Sequence, residues 1–251
     1  MDPFEASRRL LPAALKYSFQ VFLGYITLGA AFGIFALERG YPWYVALATG
    51  VIMYAGAGQF IAVGLFAAGA PLLEAALIEF VVNARHMAYG VSMLRRFRDA
   101  GAFRPYLIFA LSDETFALLS SLPEETDPAR LKERGRLMFL VSLLDQLYWN
   151  GGILIGSLAG TLIPWNFEGV GFALTALFIV LMIEQILRVR RPAPFVISAL
   201  VSAAAVFLLP GELSPRLSLL SAMVLSLGLV QLFEARRTAG TRAGPGGGAP
   251  C

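Results

Sequence analysis

Long apolar stretches, separated by short charged or Pro/Gly-containing stretches, dominate the pattern along the chain. A helix that crosses a bilayer needs about 20 apolar residues, and eight stretches approach that length. They are Lys16 to Leu37, Trp43 to Ala68, Leu72 to Leu94, Pro105 to Ser121, Leu137 to Ile163, Gly169 to Leu187, Ala193 to Leu209 and Pro215 to Phe233. Because these helices have no polar face, the pattern predicts an all-α, polytopic integral membrane helix bundle.

The same pattern predicts the domain limits. A transmembrane domain over residues 16–234 follows a short cytoplasmic N-terminal segment, residues 1–15. Residues 235–251, with the stretch "RRTAGTRAGPGGGAPC", have no apolar periodicity and are predicted to form a disordered tail.

Composition supports a membrane protein and argues against several other classes. Charged residues make up 15% of the chain, whereas soluble domains average about 25%. The Lys and Arg residues lie in short clusters at segment ends, which is typical of topological anchors rather than of a nucleic-acid surface. One cysteine, Cys251, and one histidine, His86, exclude an internal disulfide and a multi-histidine metal site. No cofactor is expected.

Basic loops predict the orientation of the segments. The loops with Arg130 to Arg136 and Arg188 to Arg191 are basic and should be cytoplasmic. The loop with Arg95 to Arg104 should also be cytoplasmic, although only Pro105 to Ser121 separates it from the next basic loop. A re-entrant or broken helix over Pro105 to Ser121 resolves this conflict, so eight segments need not mean eight crossings.

Small residues interrupt a second segment. The run "YAGAGQ" inside Trp43 to Ala68 frees backbone groups, which a bilayer tolerates only against protein or a water-lined cavity. Discontinuous helices of this kind form substrate sites in many secondary transporters. The run "YWNGG" at Tyr148 to Gly152 is conceivable as a matching interruption in an inverted repeat.

Glycines at four-residue spacing predict two close helix contacts. Gly29 and Gly33 share one face of the first segment, and Gly152, Gly156 and Gly160 share one face of the fifth. Such faces allow two helix backbones to approach closely.

The stretch "EFVVNARHMAYGVSM" carries the most unusual polar pattern. On a helix, Glu79, Asn83 and His86 share one face, and Arg85 and Tyr89 share an adjoining stripe. An ionisable group at the bilayer centre costs about 2.5–3.5 kcal/mol, so its default interpretation is functional. The alternative is a buried network that only locks helices together. The acids available as partners of Arg85 are Glu79, Asp113, Glu114 and Asp145.

His86 leaves two roles open at this stage, proton coupling or simple hydrogen bonding. An intramembrane hydrolase would pair His86 with a serine, but no G-x-S-x-G or H-E-x-x-H motif is present. A structural or receptor-like protein remains a further alternative, as does a transporter or channel for another small organic solute.

Three stretches resemble the AzlC-type branched-chain amino acid permease family, the large subunit of the LIV-E exporters. They are "AAFGIFALERGYPWYVALATGVIMYAGAGQF", "NARHMAYGVSM" and "LSDETFALL". The resemblance implies a multi-pass bacterial inner-membrane exporter of Leu, Ile, Val and Met that is not an enzyme. It also implies a small AzlD-type membrane subunit as partner, while assembly with further copies of the chain stays open.

The resemblance and the polar pattern together give a set of expected transport residues. They are Phe32, Gly33, Tyr54, Gly56, Gly58, Gln59, Phe60, Asn83, Arg85, His86, Tyr89, Asp113, Glu114 and Asp145. The "AGAGQ" break is expected to receive a carboxylate, Asp113 or Glu114 an ammonium group, and Phe32 and Phe60 an apolar side chain. Thr27 and Gly58 depart from the family pattern, which often has proline and serine there.

Overall fold

Helices form all the regular secondary structure in the part of the chain that the structure describes. This computed structural model describes residues 3–123, 125, 127–162, 172, 175–176, 179–180, 182–183, 186–187, 192–208, 221–222, 224–226 and 228–232. The elements are α1 (Pro3–Glu38), α2 (Trp43–Ile52), α3 (Gly56–Ala67), α4 (Leu72–Met93), a 3₁₀ helix (Arg98–Phe103), α5 (Arg104–Phe109), α6 (Asp113–Ser121), α7 (Pro128–Leu162) and α8 (Pro192–Leu208). The predicted all-α fold is confirmed.

The chain divides into two compact units, Met1–Phe178 and Ile179–Cys251. In the second unit, α8 agrees with the predicted segment Ala193 to Leu209. Most of the predicted segments Gly169 to Leu187 and Pro215 to Phe233 lies outside the described residues, and so does the predicted tail. In the first unit, α1 begins at Pro3, so most of the N-terminal segment predicted for residues 1–15 belongs to this helix.

Two helices among the described residues are long and apolar enough to cross a membrane. They cover Arg9–Glu38 within α1 and Arg130–Leu162 within α7, 30 and 33 residues. Length and apolar composition are what a bilayer requires of a spanning helix. Helix α4, with 22 residues, is similar in length but carries Glu74, Glu79 and Arg85, which lowers its hydropathy.

The glycines of α1 and α7 bring these two helices into backbone contact. A Cβ atom added at Gly29 would lie 2.6 Å from the Trp149 carbonyl oxygen, and one at Gly152 would lie 2.6 Å from the Ile26 carbonyl oxygen. Further along, Gly156 meets Ala30, and Gly160 meets Ile34 and Leu37. Because the contacts advance in the same direction on both helices, α1 and α7 run parallel. The predicted close approach is confirmed.

Helices α5 and α6 form a re-entrant pair. Ala100 lies against Gly135, Phe103 stacks on Phe139, and Tyr106 hydrogen-bonds to Gln146. The chain therefore advances along α7 from its basic N-terminal end towards its middle. Helix α5 ends at Phe109, and α6 begins at Asp113 near Asp145.

Helix α6 then returns to the end from which the pair entered. Leu122 and Pro123 share a cavity with Leu10 near the start of α1 and with Arg130 and Arg134 near the start of α7. Both basic loops therefore lie at one end of α7, and the break predicted in Pro105 to Ser121 is confirmed.

Helices α2 and α3 form a second re-entrant pair, which enters from the opposite end. Helix α2 follows the C-terminal end of α1 and runs down α7 until the Val51 carbonyl oxygen accepts a hydrogen bond from Gln146 Nε2 at 3.2 Å. The chain reverses at Tyr54. Its φ is 43°, and among the residues that the structure describes it is the one non-glycine residue with a positive φ. Helix α3 then moves back along α1, with Phe60 against Phe32 and Phe35.

The two re-entrant pairs give the first unit an inverted arrangement. Helix α4 runs beside α6 towards the basic end, where Arg96 Nη1 donates to the carbonyl oxygens of Leu119 and Leu122. Helix α4 is therefore antiparallel to α1 and α7. A broken helix pair follows α1, and another follows α4. Each pair enters the bundle from the end at which the preceding long helix finishes.

The structure corrects one sequence-based expectation about the repeat. Helix α7 is continuous from Pro128 to Leu162, so "YWNGG" is not an interruption. Its glycines serve the contact with α1 instead. The segment that corresponds to "YAGAGQ" is the break at Ala110 to Ser112, between α5 and α6.

Candidate functional site

The tips of the two re-entrant pairs meet near the middle of α7. Asp145, close to the midpoint of the span Arg130–Leu162, is fully buried. Its Oδ2 accepts a hydrogen bond of 2.9 Å from Thr115 in α6. Tyr54, at the tip of the α2–α3 pair, is 4% exposed, and its hydroxyl lies near Thr115 and Tyr25. One compact polar cluster thus joins the centre of the spanning helix to both breaks.

Open backbone groups at the tips are satisfied by polar side chains of α7 and α6. Besides Gln146, which binds the Val51 carbonyl, Asn150 Nδ2 donates to the Gly50 carbonyl at 3.4 Å. At the start of α6, the Ser112 side chain caps the helix by accepting from the Thr115 backbone N–H at 3.1 Å. A helix end inside a membrane needs such partners, because unsatisfied backbone groups are costly there.

Tyr25 of α1 connects the start of α6 to the spanning helices. Its hydroxyl donates to Glu114 Oε2 at 2.8 Å and also hydrogen-bonds to the Ser112 hydroxyl. Its ring packs edge to face against Trp149 of α7. The predicted site residues Glu114 and Asp145 therefore lie in one network, whose hydroxyl-bearing members Tyr25, Ser112 and Thr115 were absent from the sequence-based set.

Arg85 and Asp113 form an ion pair between α4 and α6. Arg85 Nη1 lies 3.0 Å from Asp113 Oδ2, and Tyr89 donates a hydrogen bond of 2.7 Å to Asp113 Oδ1. The predicted partner set for Arg85 is thereby reduced to Asp113. Tyr89 stacks on Phe116 at 4.4 Å between ring centroids, which fixes the face of α4 against α6.

His86 lies beside this ion pair. Its ring contacts the Tyr89 ring edge to face, with 5.9 Å between centroids. No hydrogen bond joins His86 to a serine among the residues that the structure describes.

Gln59 of α3 and Trp149 of α7 form a third polar contact. Trp149 Nε1 donates to Gln59 Oε1 at 2.8 Å, and Gln59 Nε2 donates to Thr49 of α2 at 3.0 Å. Gln59 is fully buried, so both ends of its amide are used. This arrangement holds the two arms of the α2–α3 pair together and fixes them on α7.

Four of the predicted residues lie in contacts between helices. Phe32 and Phe60 are fully buried and pack edge to face, with ring centroids 5.1 Å apart. Gly33 lies in the α1–α7 contact, where a Cβ would come within 2.7 Å of the Ser157 backbone nitrogen. Gly56 starts α3 and faces the Trp149 ring. Phe32, Phe60 and Gly33 therefore pack between helices, and Gly56 places the start of α3 against Trp149.

Gly58 faces a carboxylate and an amide of α4. A Cβ at Gly58 would lie 2.7 Å from Glu79 Oε2 and 2.9 Å from Asn83 Nδ2. Asn83 Nδ2 donates to Glu79 Oε2 at 2.8 Å. From the sequence, Glu79 shares a polar helix face with Asn83 and His86 and is a possible partner of Arg85; the structure brings it to the first turn of α3.

Comparisons with known proteins agree on one family. The family model described as AzlC protein matches residues 20–163. Branched-chain amino acid transport protein AzlC of Bacillus subtilis is 33% identical over 202 residues, which cover 80% of this chain and 77% of that protein. An uncharacterized membrane protein of Helicobacter pylori J99 is 41% identical over 172 residues, 68% of this chain and 74% of that protein.

A more distant relative is inner membrane protein YgaZ of Escherichia coli, which is 29% identical over 201 residues, 76% of this chain and 78% of that protein. No solved structure matches the chain.

Proposed function

The chain belongs to the AzlC family, and from that membership we propose that it exports Leu, Ile, Val and Met across the bacterial inner membrane. It is a multi-pass membrane protein, and its relatives indicate a transport protein rather than an enzyme. The outward direction, the inclusion of Met and a small AzlD-type subunit as partner belong to this proposal.

One observation carries the proposal: two re-entrant helix pairs enter from opposite ends and meet around buried ionisable side chains at mid-span. Thr115 at one tip donates to Asp145, and the hydroxyl of Tyr54 at the other tip lies near Thr115. Irregular backbone at this depth is tolerated where it is buried in protein or lines a water-filled cavity, and inverted repeats with discontinuous helices are typical of secondary transporters. Movement of one pair at a time would open the site to one side of the membrane.

The contacts support separate roles for the residues. The start of α3 at Gly56 has no acidic residue in its first turn and carries a partial positive charge, which suits the substrate carboxylate. Asp113 is engaged by Arg85 and Tyr89, so we assign the pair Arg85–Asp113 to holding α4 against α6. Glu114 and Asp145 remain as acidic groups at the meeting point of the tips.

A liposome assay tests the function. The full chain is reconstituted with and without the small membrane subunit, and efflux of radiolabelled leucine is measured. We expect leucine efflux, and we expect unlabelled isoleucine and valine to inhibit it. The substitution Asp145→Asn should reduce leucine efflux, although the amide oxygen of the new side chain can still accept the hydrogen bond from Thr115. Absence of leucine flux in both preparations would refute the proposal. Flux of an unrelated solute alone would favour another small organic substrate.

A further inference from the structure

Glu79 and Asn83 of α4 present two acceptor oxygens that have no donor. Glu79 Oε1 and Asn83 Oδ1 are both buried and make no hydrogen bond among the described residues. The other polar atoms of the same two groups face each other, since Asn83 Nδ2 donates to Glu79 Oε2 at 2.8 Å. Buried acceptors without donors cost free energy, so this pair is suited to bind a ligand rich in N–H donors.

The missing side chain of Gly58 lets Glu79 and Asn83 lie directly against α3. A Cβ at Gly58 would come within 2.7 Å of Glu79 Oε2, 2.9 Å of Asn83 Nδ2 and 3.1 Å of the Met53 methyl group. Contacts this short mean that any larger residue displaces the carboxylate or the amide. By contrast, a Cβ at Gly64 in the same helix would meet nothing within 4 Å.

The charge of Glu79 is not balanced by the protein in the described part of the chain. No lysine or arginine described there lies within ion-pair distance of its carboxylate, whereas Arg85, two turns nearer the basic end, pairs with Asp113. Asp145 also keeps one buried oxygen, Oδ1, without a donor, but Glu79 is the carboxylate whose unpartnered oxygen lies beside a second unpartnered acceptor, that of Asn83. A half-buried carboxylate without a cation favours a cationic ligand.

We propose that Glu79 Oε1 and Asn83 Oδ1 bind the α-ammonium group of the transported amino acid, at the contact between α4 and the first turn of α3. The inference rests on the proposed function, because it names the part of the substrate that this site recognises. An ammonium group supplies three donors, which match a carboxylate and an amide oxygen. The α-carboxylate, two bonds from the ammonium nitrogen, would then face the positive end of α3 at Gly56.

Binding measurements on the full chain in lipid nanodiscs test the ammonium site. The probes are leucine, 3-methylbutylamine, which lacks the carboxylate, and 4-methylpentanoate, which lacks the amine. We expect Glu79→Gln to weaken binding of leucine and of the amine by about tenfold or more, and to leave binding of the carboxylate unchanged. Glu38→Gln removes an exposed carboxylate at the end of α1 and should change neither.

Substitution of Gly58 is a second test, in which Glu79 and Asn83 are both retained. Gly58→Ala should weaken leucine and 3-methylbutylamine binding, because the methyl group displaces Glu79 or Asn83. Gly64→Ala, in the same helix, should bind both like the wild type. Thermal unfolding of each variant verifies that it is folded.

The outcomes separate the site from the function. Equal leucine affinity of the wild type and Glu79→Gln would overturn the ammonium site and leave the exporter. Glu79-dependent binding of the amine without leucine binding would support the site and overturn the amino acid assignment. Binding of radiolabelled sodium that depends on Glu79, with leucine affinity unchanged, would overturn the substrate assignment in favour of a coupling cation. Binding of none of the probes by the wild type would overturn both.

Discussion

Arg85 of α4 and Asp113 of α6 form an ion pair in which Nη1 and Oδ2 are 3.0 Å apart. The pair joins a long helix to the tip of a re-entrant pair, and Tyr89 donates a second bond to the same carboxylate. Asp113 is also the first residue of α6, where a carboxylate is favoured by the partial positive charge of the helix start. The contact therefore sets the position of α6 relative to α4.

Loss of the Arg85 charge should impair transport. We expect Arg85→Ala to reduce leucine efflux about tenfold or more, since a part-buried charge left without its partner costs roughly 1–3 kcal/mol. The double variant Arg85→Asp with Asp113→Arg should restore part of the efflux if transport requires the ion pair itself. Equal efflux from Arg85→Ala and wild-type liposomes at matched protein levels would remove the pair from the mechanism.

Tyr25 should be needed for a stable start of α6. Tyr25→Phe removes the hydroxyl that donates to Glu114 and contacts Ser112. We expect a loss of about 1–3 kcal/mol in the free energy of unfolding, because Glu114 loses a buried donor. Thermal unfolding in detergent measures the change, with Tyr44→Phe as the control, since Tyr44 is 59% exposed. Equal losses in both variants would contradict this explanation.

The α1–α7 contact should tolerate no side chain at Gly29. Gly29→Ala places a methyl group 2.6 Å from the Trp149 carbonyl oxygen and 3.1 Å from Gly152 Cα. Backbone atoms cannot rotate away, so the helices must separate, and we expect destabilisation of about 1–3 kcal/mol. Gly24→Ala lies five residues earlier on α1, where a Cβ meets nothing within 4 Å. That control should unfold at or above the wild-type temperature; equal destabilisation of the two variants would argue against the contact.

The re-entrant topology makes a prediction about sidedness. In a Cys251→Ser background, which removes the one cysteine, Ala102→Cys lies just before the α5–α6 pair and Ser121→Cys lies at its last residue. Both should react with a membrane-impermeant maleimide only after cells are permeabilised, since both lie at the basic, cytoplasmic end. Ala68→Cys, after the α2–α3 pair, should react in intact cells. Labelling of Ala102→Cys and Ser121→Cys from opposite sides would show that Pro105 to Ser121 crosses the membrane.

The break in Pro105 to Ser121 was predictable because two sequence rules conflicted there. Basic residues flank the segment on both sides, and Asp113 and Glu114 interrupt it. The pairing of Gly29 with Gly152 was not predictable from spacing alone, although each glycine face was. Spacing reports which residues share a helix face, but not which other helix covers that face.

The partners of the polar residues required the tertiary structure. Arg85 had four candidate acids in the sequence, and only packing of α4 on α6 selects Asp113. Tyr25 gave no sequence signal at all, because its partners Ser112 and Glu114 are 87 and 89 residues away. The interruption that was conceivable at "YWNGG" does not occur in α7 for a related reason: glycines that break an isolated helix are stabilised within one that packs against α1.

The sequence by itself determined that the helices lie in a membrane, that the fold is all-α and which family the chain belongs to. The length of the apolar stretches and the placement of charges are local properties that a bilayer selects directly. Only the tertiary structure decided that two broken segments enter from opposite ends and bring Thr115 to Asp145 and Tyr54 near Thr115. Those contacts depend on how helices distant in sequence pack, and hydrophobic pattern carries no information about which helices become neighbours.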